Sequence, residues 1–463
     1  MKNIYKLILN KLVVVLSLLL ISTSCSDWID HDLNVDPDSP SNVPMSLILP
    51  SVQQAMGYHL VGNNTVKTNN IWMQQFDGVD RQSYTEARYQ LTPADVNNVW
   101  NSIYAEIFIN LHIIIEKGSN ESAKSPNFVG VAQVLEATTL GISTDLFGSM
   151  PYTEGLQGSN NVLKPVYDSQ EVLYTNVFTL LDNAVTNLNN TTNALSVDGD
   201  VIYDGNISKW KKAAFSIKAR HQLQLSKKNG NAAYTEALAS VANGFTSNSD
   251  DFLVPWEAAN KNPINQFMTQ RTDIRMGATL VNMLKSNNDP RLPFYAAKDD
   301  DGNYTGSISG SQNAKASKLG KYNADETSKS VLMSYSELKF IEAECRLMKS
   351  PSDLLGAQLA YEAAVAASVL KVTGAANTTW LDANINGVPV TLKNIIEQKY
   401  IAGYSTNQPY ADYRRTGFPA LTLAIGAVIP TIPNRFPYAQ DELDYNTANV
   451  PSVTISDKVW WNQ

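Results

Sequence analysis

Ser334-Tyr335-Ser336-Glu337-Leu338-Lys339-Phe340-Ile341-Glu342-Ala343-Glu344-Cys345-Arg346-Leu347-Met348 leads, across a short Pro351-Ser352-Asp353 turn, into the alanine-rich run Leu355–Leu370. Ser334 with Glu337 three residues on is a helix-start pattern: the hydroxyl and the carboxylate each satisfy a backbone N–H that the first turn leaves free. Leu338, Ile341, Cys345 and Met348 then recur at helical spacing and form one apolar face. In the second run Ala363, Ala364 and Ala367 are small enough to let two backbones approach closely. Two such helices joined by so short a turn pack as an antiparallel hairpin.

The same grammar extends toward the N-terminus. Thr92-Pro93-Ala94-Asp95 supplies a cap, a proline at the first helical position and an acid in the first turn, ahead of Val96, Val99, Trp100, Ile103, Ile107, Leu111 and Ile114. A second helix is expected over Phe128–Leu146, ending at Gly148 with Pro151 beyond. Asp168 to Glu171 has the capping-box form, followed by Leu173, Val177, Leu180, Ala184 and Leu188 on one face. Trp210, Ala214, Ile217, His221 and Leu225 mark another helix, and Thr391–Tyr404 reads as the last long one. The expected fold is mostly α: tetratricopeptide-like helix pairs form a scaffold, although no strict 34-residue period is readable. Long loops fall at 57–70, 189–206, 247–265 and 299–329, and a proline-punctuated stretch runs from Ile425 to Gln463. Loops of this length place the ligand site on irregular segments carried by the helices.

The N-terminus is of another kind. Lys2, Lys6 and Lys11 precede the apolar run Leu12–Ile21, which is about half the ~20 residues a membrane-spanning helix needs. This is a signal-peptide pattern over residues 1–24, with Ser22-Thr23-Ser24 leading into Cys25. Cys25 stands where a bacterial lipobox places its lipidated cysteine; the other reading is a secretory signal with an incidental cysteine. Residues 25–44 then form a tether rich in Asp and Pro, ahead of a single domain over 45–463. Cleavage before Cys25 removes three lysines and takes the formal charge of the 463-residue chain from −8 to −11. That acidity argues against nucleic acid as a partner, and two cysteines exclude a disulfide framework or a cysteine-rich metal site.

Catalytic motifs are missing from the sequence: it has no HExxH, no P-loop and no GxSxG elbow. His31, His59, His112 and His221 are scattered, with His112 and His221 read as packing residues and Cys345 as a buried thiol. Asp145 and Glu154 could serve a glycoside hydrolase as paired carboxylates, but they flank a Gly148/Pro151 turn, where acids commonly hold backbone donors. The acid-rich loops at Asp198, Asp200 and Asp204 and at Asp299–Asp301 lack the ligand spacing of a calcium loop. No catalytic residue, metal ligand or cofactor is assigned.

Aromatic side chains in polar loops carry the functional signal. A sugar offers apolar C–H faces and a rim of hydroxyls, which Trp or Tyr rings and Asn, Gln, Asp or Arg side chains complement. Trp72 with Arg81 and Tyr84 forms one such group; Trp256, amid Asn260, Asn262 and Asn265, forms another, with Tyr295 and Tyr304 in later loops. These six residues are the candidate ligand-binding set, the alternative for each aromatic being packing within the scaffold. For Trp100 and Trp210 the scaffold role is the one expected.

Six segments in order along the chain then point to one family. They are Asn34-Val35-Asp36-Pro37; Ser143-Thr144-Asp145-Leu146-Phe147-Gly148 with Pro151-Tyr152-Thr153-Glu154; Gly205-Asn206-Ile207-Ser208-Lys209-Trp210; Tyr335 to Glu344; Asp412-Tyr413-Arg414-Arg415-Thr416-Gly417-Phe418-Pro419; and Pro433-Asn434-Arg435-Phe436-Pro437-Tyr438. Together they resemble the SusD/RagB family of surface lipoproteins from Bacteroidetes-type bacteria, in its nutrient-binding subgroup. The resemblance implies a non-enzymatic protein lipid-anchored to the outer membrane and exposed at the cell surface. Such a protein captures an oligosaccharide, or in some relatives a peptide, and passes it to a SusC-like TonB-dependent transporter over which it acts as a lid. A lipid-anchored glycosidase and a helical-repeat adaptor in envelope assembly are the alternatives. The motif residues read as scaffold and do not locate the ligand.

Overall fold

In a computed structural model, residues 4–12, 43–120 and 124–463 are described. Cys25 and residues 26–42 of the tether lie outside them. Met45–Gln463 form one compact unit.

Its principal helices are α1 (Met45–Ala55), α2 (Asn64–Trp72), α3 (Arg81–Ala87), α4 (Asn97–Ser102), α5 (Ile109–Ser119), α6 (Pro126–Phe147), α7 (Gln170–Leu188), α8 (Ile207–Gln224) and α9 (Asn231–Val241). They continue with α10 (Ala278–Ser286), α11 (Tyr335–Met348), α12 (Leu354–Thr373), α13 (Thr378–Asn384), α14 (Leu392–Ala402) and α15 (Gln408–Thr416). Helix α5 packs on α6, α6 on α7, α7 on α8, α8 on α9, α9 on α11 and α11 on α12. From α5 to α9 each helix therefore lies against the next, and α9, α11 and α12 continue the stack, as stacked helical hairpins require. Two small antiparallel pairs join distant loops: β1 (Phe76–Gly78) with β3 (Ile274–Met276), and β2 (Phe252–Val254) with β4 (Ser330–Met333).

The opening hairpin forms as its sequence dictates. Ser334 caps α11 by accepting from Glu337 N. Where α11 meets α12 the backbones are close enough for Ser336 Oγ to donate to the Ala364 carbonyl at 2.8 Å. Ala360 and Ala364 fill that seam and are buried, whereas Ala363 is only half-buried, one step off the contact face. In α7 the buried stripe is Leu173, Val177, Leu181, Ala184 and Leu188. Leu181 replaces the expected Leu180, because a seven-residue step from Tyr174 keeps the stripe on the face toward α6 and α8. Each such Leu or Val contributes ~1.5–3 kcal/mol of burial. The cap of α7 is Ser169, while Asp168 instead holds the backbone N–H groups of Tyr152 and Thr153 at 2.9 and 2.7 Å. The stretch 57–70, expected as a loop, is mostly helical: a π-helical turn, Met56–Leu60, prolongs α1, and α2 follows at once.

The motif segments converge in the core. Arg220 on α8 clasps Glu337 of α11 at 2.6 and 2.7 Å and also donates to the Leu332 carbonyl. Arg415 of α15 grips Glu344 of α11 through both guanidinium nitrogens and reaches Asp412 at 3.0 Å, while Lys399 of α14 meets Asp412 at 2.9 Å. The proline-rich C-terminal stretch is laid across the end of α6. Phe436 N donates to the Leu146 carbonyl, Arg435 to the Phe147 carbonyl, and Tyr438 Oη to the Ser149 carbonyl. An irregular segment can be buried this way only because its backbone groups find partners.

Candidate functional site

The structure divides the six expected ligand contacts. Trp72 is wholly buried: its indole N–H donates to the Glu86 carbonyl at 3.1 Å, and its ring packs edge-on to Tyr410 and Phe436. Trp256 is buried with its N–H on Ser330 Oγ at 2.9 Å. Tyr295 is buried in a stack on Tyr404, ring centroids 4.3 Å apart. None of these three offers a face to a surface ligand. The polar residues around Trp72 and Trp256 gave them the look of loop aromatics. Burial of large rings with a satisfied N–H is the stronger tendency, and it decides here.

The other three remain at the surface. Arg81 is exposed and binds Asp273 at 2.8 Å; Tyr84, one turn along α3, is half-buried beneath the Arg88 guanidinium. Tyr304 is half-buried in its own loop, where its carbonyl accepts from Lys285. Arg81 and Tyr84 thus share α3, while Tyr304 sits on a separate loop.

A cleft of about 360 Å³ opens instead between the turn after α1 and the start of the α4–α5 rod. Its wall comprises Tyr58, His59, Asn63 and Asn64 on one side and Asn98, Asn101, Ser102 and Glu106 on the other. Two π-helical segments face it, Met56–Leu60 and Ile103–Phe108. Such widened turns re-aim side chains and are frequent at functional sites. His59 and Glu106, one from each segment, meet at 3.4 Å, and Ser102 Oγ donates to Glu106 at 3.0 Å. Burial holds the His59 imidazole below its ordinary pKa against the opposing pull of Glu106. Gly62 shapes the turn between the two helices: a Cβ there would lie 2.3 Å from the Gly57 carbonyl oxygen and 2.4 Å from Pro263.

What distinguishes this cleft is the state of its polar groups. Most amide side chains elsewhere are occupied, as with Asn407 and Asn446, which tie loops together. The side-chain amides of Asn63, Asn64 and Asn98 and the Tyr58 hydroxyl have no hydrogen-bond partner among the described residues. Three amides, a phenol ring and a carboxylate in one concavity offer donors, acceptors and an apolar face. The sequence signal was present in the doublets Asn63-Asn64 and Asn97-Asn98 beside Tyr58-His59. The tryptophans of the chain do not mark it.

Asp145 and Glu154 have separate structural tasks. Asp145 accepts from Tyr174 Oη at 2.6 Å and Trp461 Nε1 at 2.8 Å, and burial pushes its carboxyl up to about 6. It borders a cavity of about 30 Å³, large enough for a single water, which Glu154 does not line. Glu154 holds the backbone of Val166. His112 is not a packing residue: its half-exposed ring bonds Glu136 at 2.8 Å, and that bond raises its pKa. His221 and Cys345 are buried as expected. Asp200 organises its loop by accepting from Gln53, Trp210 and three backbone N–H groups, and Asp299 does the same for Asp301, Asn303 and Thr305.

Stacked helical hairpins carrying irregular segments and an open polar-aromatic cleft define a helical-repeat scaffold built to present a binding surface. The chain belongs to the SusD-like family, whose model, described as "Starch-binding associating with outer membrane", matches residues 37–439. Among solved structures it is similar to a SusD/RagB family protein from Bacteroides thetaiotaomicron, with 23% identity, a TM-score of 0.77, and 91% of this chain and 99% of that one covered. It is also similar to a chitin-binding SusD homologue from Flavobacterium johnsoniae, at 25% identity and a TM-score of 0.72, covering 91% and 97%. A third, a chitin-binding protein, shares 26% identity at a TM-score of 0.76, covering 91% and 100%. No curated protein sequence matches. Among the described residues no helix is long and apolar enough to cross a membrane.

Proposed function

We propose that the protein is a cell-surface lipoprotein, anchored through Cys25, that captures an oligosaccharide and passes it to a SusC-like TonB-dependent transporter. The observation that carries the binding half of this reading is the cleft at Tyr58, with its three uncommitted asparagine amides and the Glu106 carboxylate. Family membership and two chitin-binding neighbours support a carbohydrate as the ligand. Capture without turnover fits the separate structural roles of Asp145 and Glu154.

Tyr58 supplies the face on which a pyranose ring rests, and Asn63, Asn64 and Asn98 take the ring hydroxyls. A glycan array on the soluble chain beginning after Cys25 identifies the sugar. Tyr58→Ala and Asn98→Ala should each then weaken it by about 1–2 kcal/mol, five- to thirtyfold. Full affinity in both variants would remove this cleft as the site. Arg81 and Tyr84 remain as proposed flanking contacts on α3, and Arg81→Ala tests them in the same titration.

A further inference from the structure

A second cleft, of about 390 Å³, lies among α10, α12, α13 and α14 and takes no part in the site at Tyr58. Two aromatic residues line it, Tyr361, which is buried, and Trp380, half-buried on α13. The indole N–H is already committed to the Asn287 carbonyl at 2.8 Å, so the ring brings carbon surface rather than a free donor to the cleft. Behind it the fully buried Arg291 guanidinium sits 6.0 Å from the ring centroid, held by Asp289 at 2.6 and 2.9 Å and by Gln398 at 2.8 Å. The ring is therefore fixed from behind and pre-set for contact.

The polar rim has groups to spare. The Asn287 side-chain amide has no hydrogen-bond partner among the described residues, and there Lys393 and Glu397 have no ion-pair partner but each other, at 3.9 Å. Ile385, Val388 and Ile401 supply an apolar wall. A rigid ring, an amide, a carboxylate and an ammonium around one open concavity complement a pyranose, and the apolar wall suits the methyl of an acetamido group. We propose that this cleft is a second saccharide subsite, independent of the first and favouring N-acetylated sugar units. The inference rests on the carbohydrate reading of the protein.

Titration calorimetry of the full chain with chitotetraose and with maltotetraose reads the number of sites, and hydrogen exchange locates them. The expected result is two chitotetraose molecules per chain, with protection at residues 58–64 and 98–106 and separately at 378–397. Trp380→Ala should reduce the count to one and abolish protection at 378–397, leaving affinity at the first site within twofold. Because Trp380 also packs on the core, the pair Asn287→Ala/Glu397→Ala, one exposed and one half-buried, provides a second variant, with at least tenfold weakening expected at this cleft alone. One site per chain, with protection confined to 58–106, overturns the second subsite and leaves the carbohydrate reading standing. Preferential maltotetraose binding at 378–397 overturns the acetamido preference. Absence of heat and protection with both sugars, and with every other sugar on the array, overturns the carbohydrate reading and this inference with it.

Discussion

Replacing Glu344 by glutamine removes one charge from a closed set of four and changes almost nothing in shape. Arg415 and Lys399 face Glu344 and Asp412, two cations against two anions, with all four side chains at most 4% exposed. The Arg415 Nη2–Glu344 Oε2 contact is 2.7 Å, and Lys399 meets Asp412 at 3.0 and 2.9 Å on its two oxygens. Glu344→Gln leaves two buried cations against one carboxylate, and an amide N–H₂ aimed at a guanidinium. An uncompensated buried charge of this kind costs ~3–5 kcal/mol. Urea unfolding at pH 7 should show the unfolding free energy lowered by that amount, through a lower midpoint at unchanged slope. Raising salt should leave the loss nearly intact, because ions do not reach a buried pair. The double variant Glu344→Gln/Arg415→Gln restores neutrality and should cost less than the sum of the two singles, with a coupling of ~1–3 kcal/mol. A single-variant loss below ~1 kcal/mol, or strict additivity in the double, would refute the argument that this network is closed and desolvated.

Trp72→Ala should destabilise the protein by ~3–5 kcal/mol, as for other buried aromatics, while the folded fraction keeps its sugar affinity; a selective affinity loss at unchanged stability would return Trp72 to the ligand site. Burial and the neighbouring Arg220 charge push His221 down to about 3, against an ordinary value of 6.5. Between these values the unfolded chain binds the extra proton, so the stability His221 contributes is present above pH 6.5 and declines as pH falls. The wild-type unfolding free energy relative to His221→Gln should therefore drop by ~2 kcal/mol between pH 7.5 and 5, measured by denaturant titration at each pH. Asp145 titrates in both proteins and largely cancels from that difference; a flat difference would mean that the imidazole is not held neutral. Cys25→Ala should abolish incorporation of labelled palmitate and release the protein from membranes, and protease treatment of intact cells should digest the wild type. Retained label, or protection from protease, would count against the anchor and the surface location respectively.

How much of this was legible in the sequence depends on what each residue has to satisfy. Helix starts such as Ser334/Glu337 and Thr391 were readable because capping is local: donor and acceptor lie within four residues. The Ala360/Ala364 seam was readable to within one position, since small residues at helical spacing admit only a few faces. The stretch 57–70 misled because glycine and asparagine are frequent in loops, whereas here they shape a π-turn and a helix start. Trp72 and Trp256 misled for a different reason. A tryptophan among polar neighbours reads the same whether its N–H points to a sugar or to a carbonyl. The carbonyl of Glu86 and the hydroxyl of Ser330, 14 and 74 residues away, decide between the two.

The family motifs mark the places where the architecture leaves little freedom. Glu337 and Glu344 of one motif, and Asp412 and Arg415 of another, join helices that are distant in sequence through charged contacts that a single substitution would leave uncompensated. Arg414 alone reaches the carbonyls of Asp145 and Asn434 and lies 4.8 Å from the Trp461 ring centroid, so three chain segments rest on one guanidinium. Such positions are legible because they are constrained, and for the same reason they are silent about the ligand. The proposed clefts show the opposite condition. Among the described residues the side-chain amides of Asn63, Asn64, Asn98 and Asn287 have no hydrogen-bond partner, and Lys393 and Glu397 have only their long pairing with each other. Within one scaffold these residues can change without disturbing its core. Specificity for one sugar over another should therefore sit in these uncommitted amides and rings, and grafting Tyr58, Asn63, Asn64 and Asn98 onto a relative with a different ligand should transfer preference without loss of stability. If the graft unfolds the recipient, or leaves its preference unchanged, scaffold and specificity are not separable in this way.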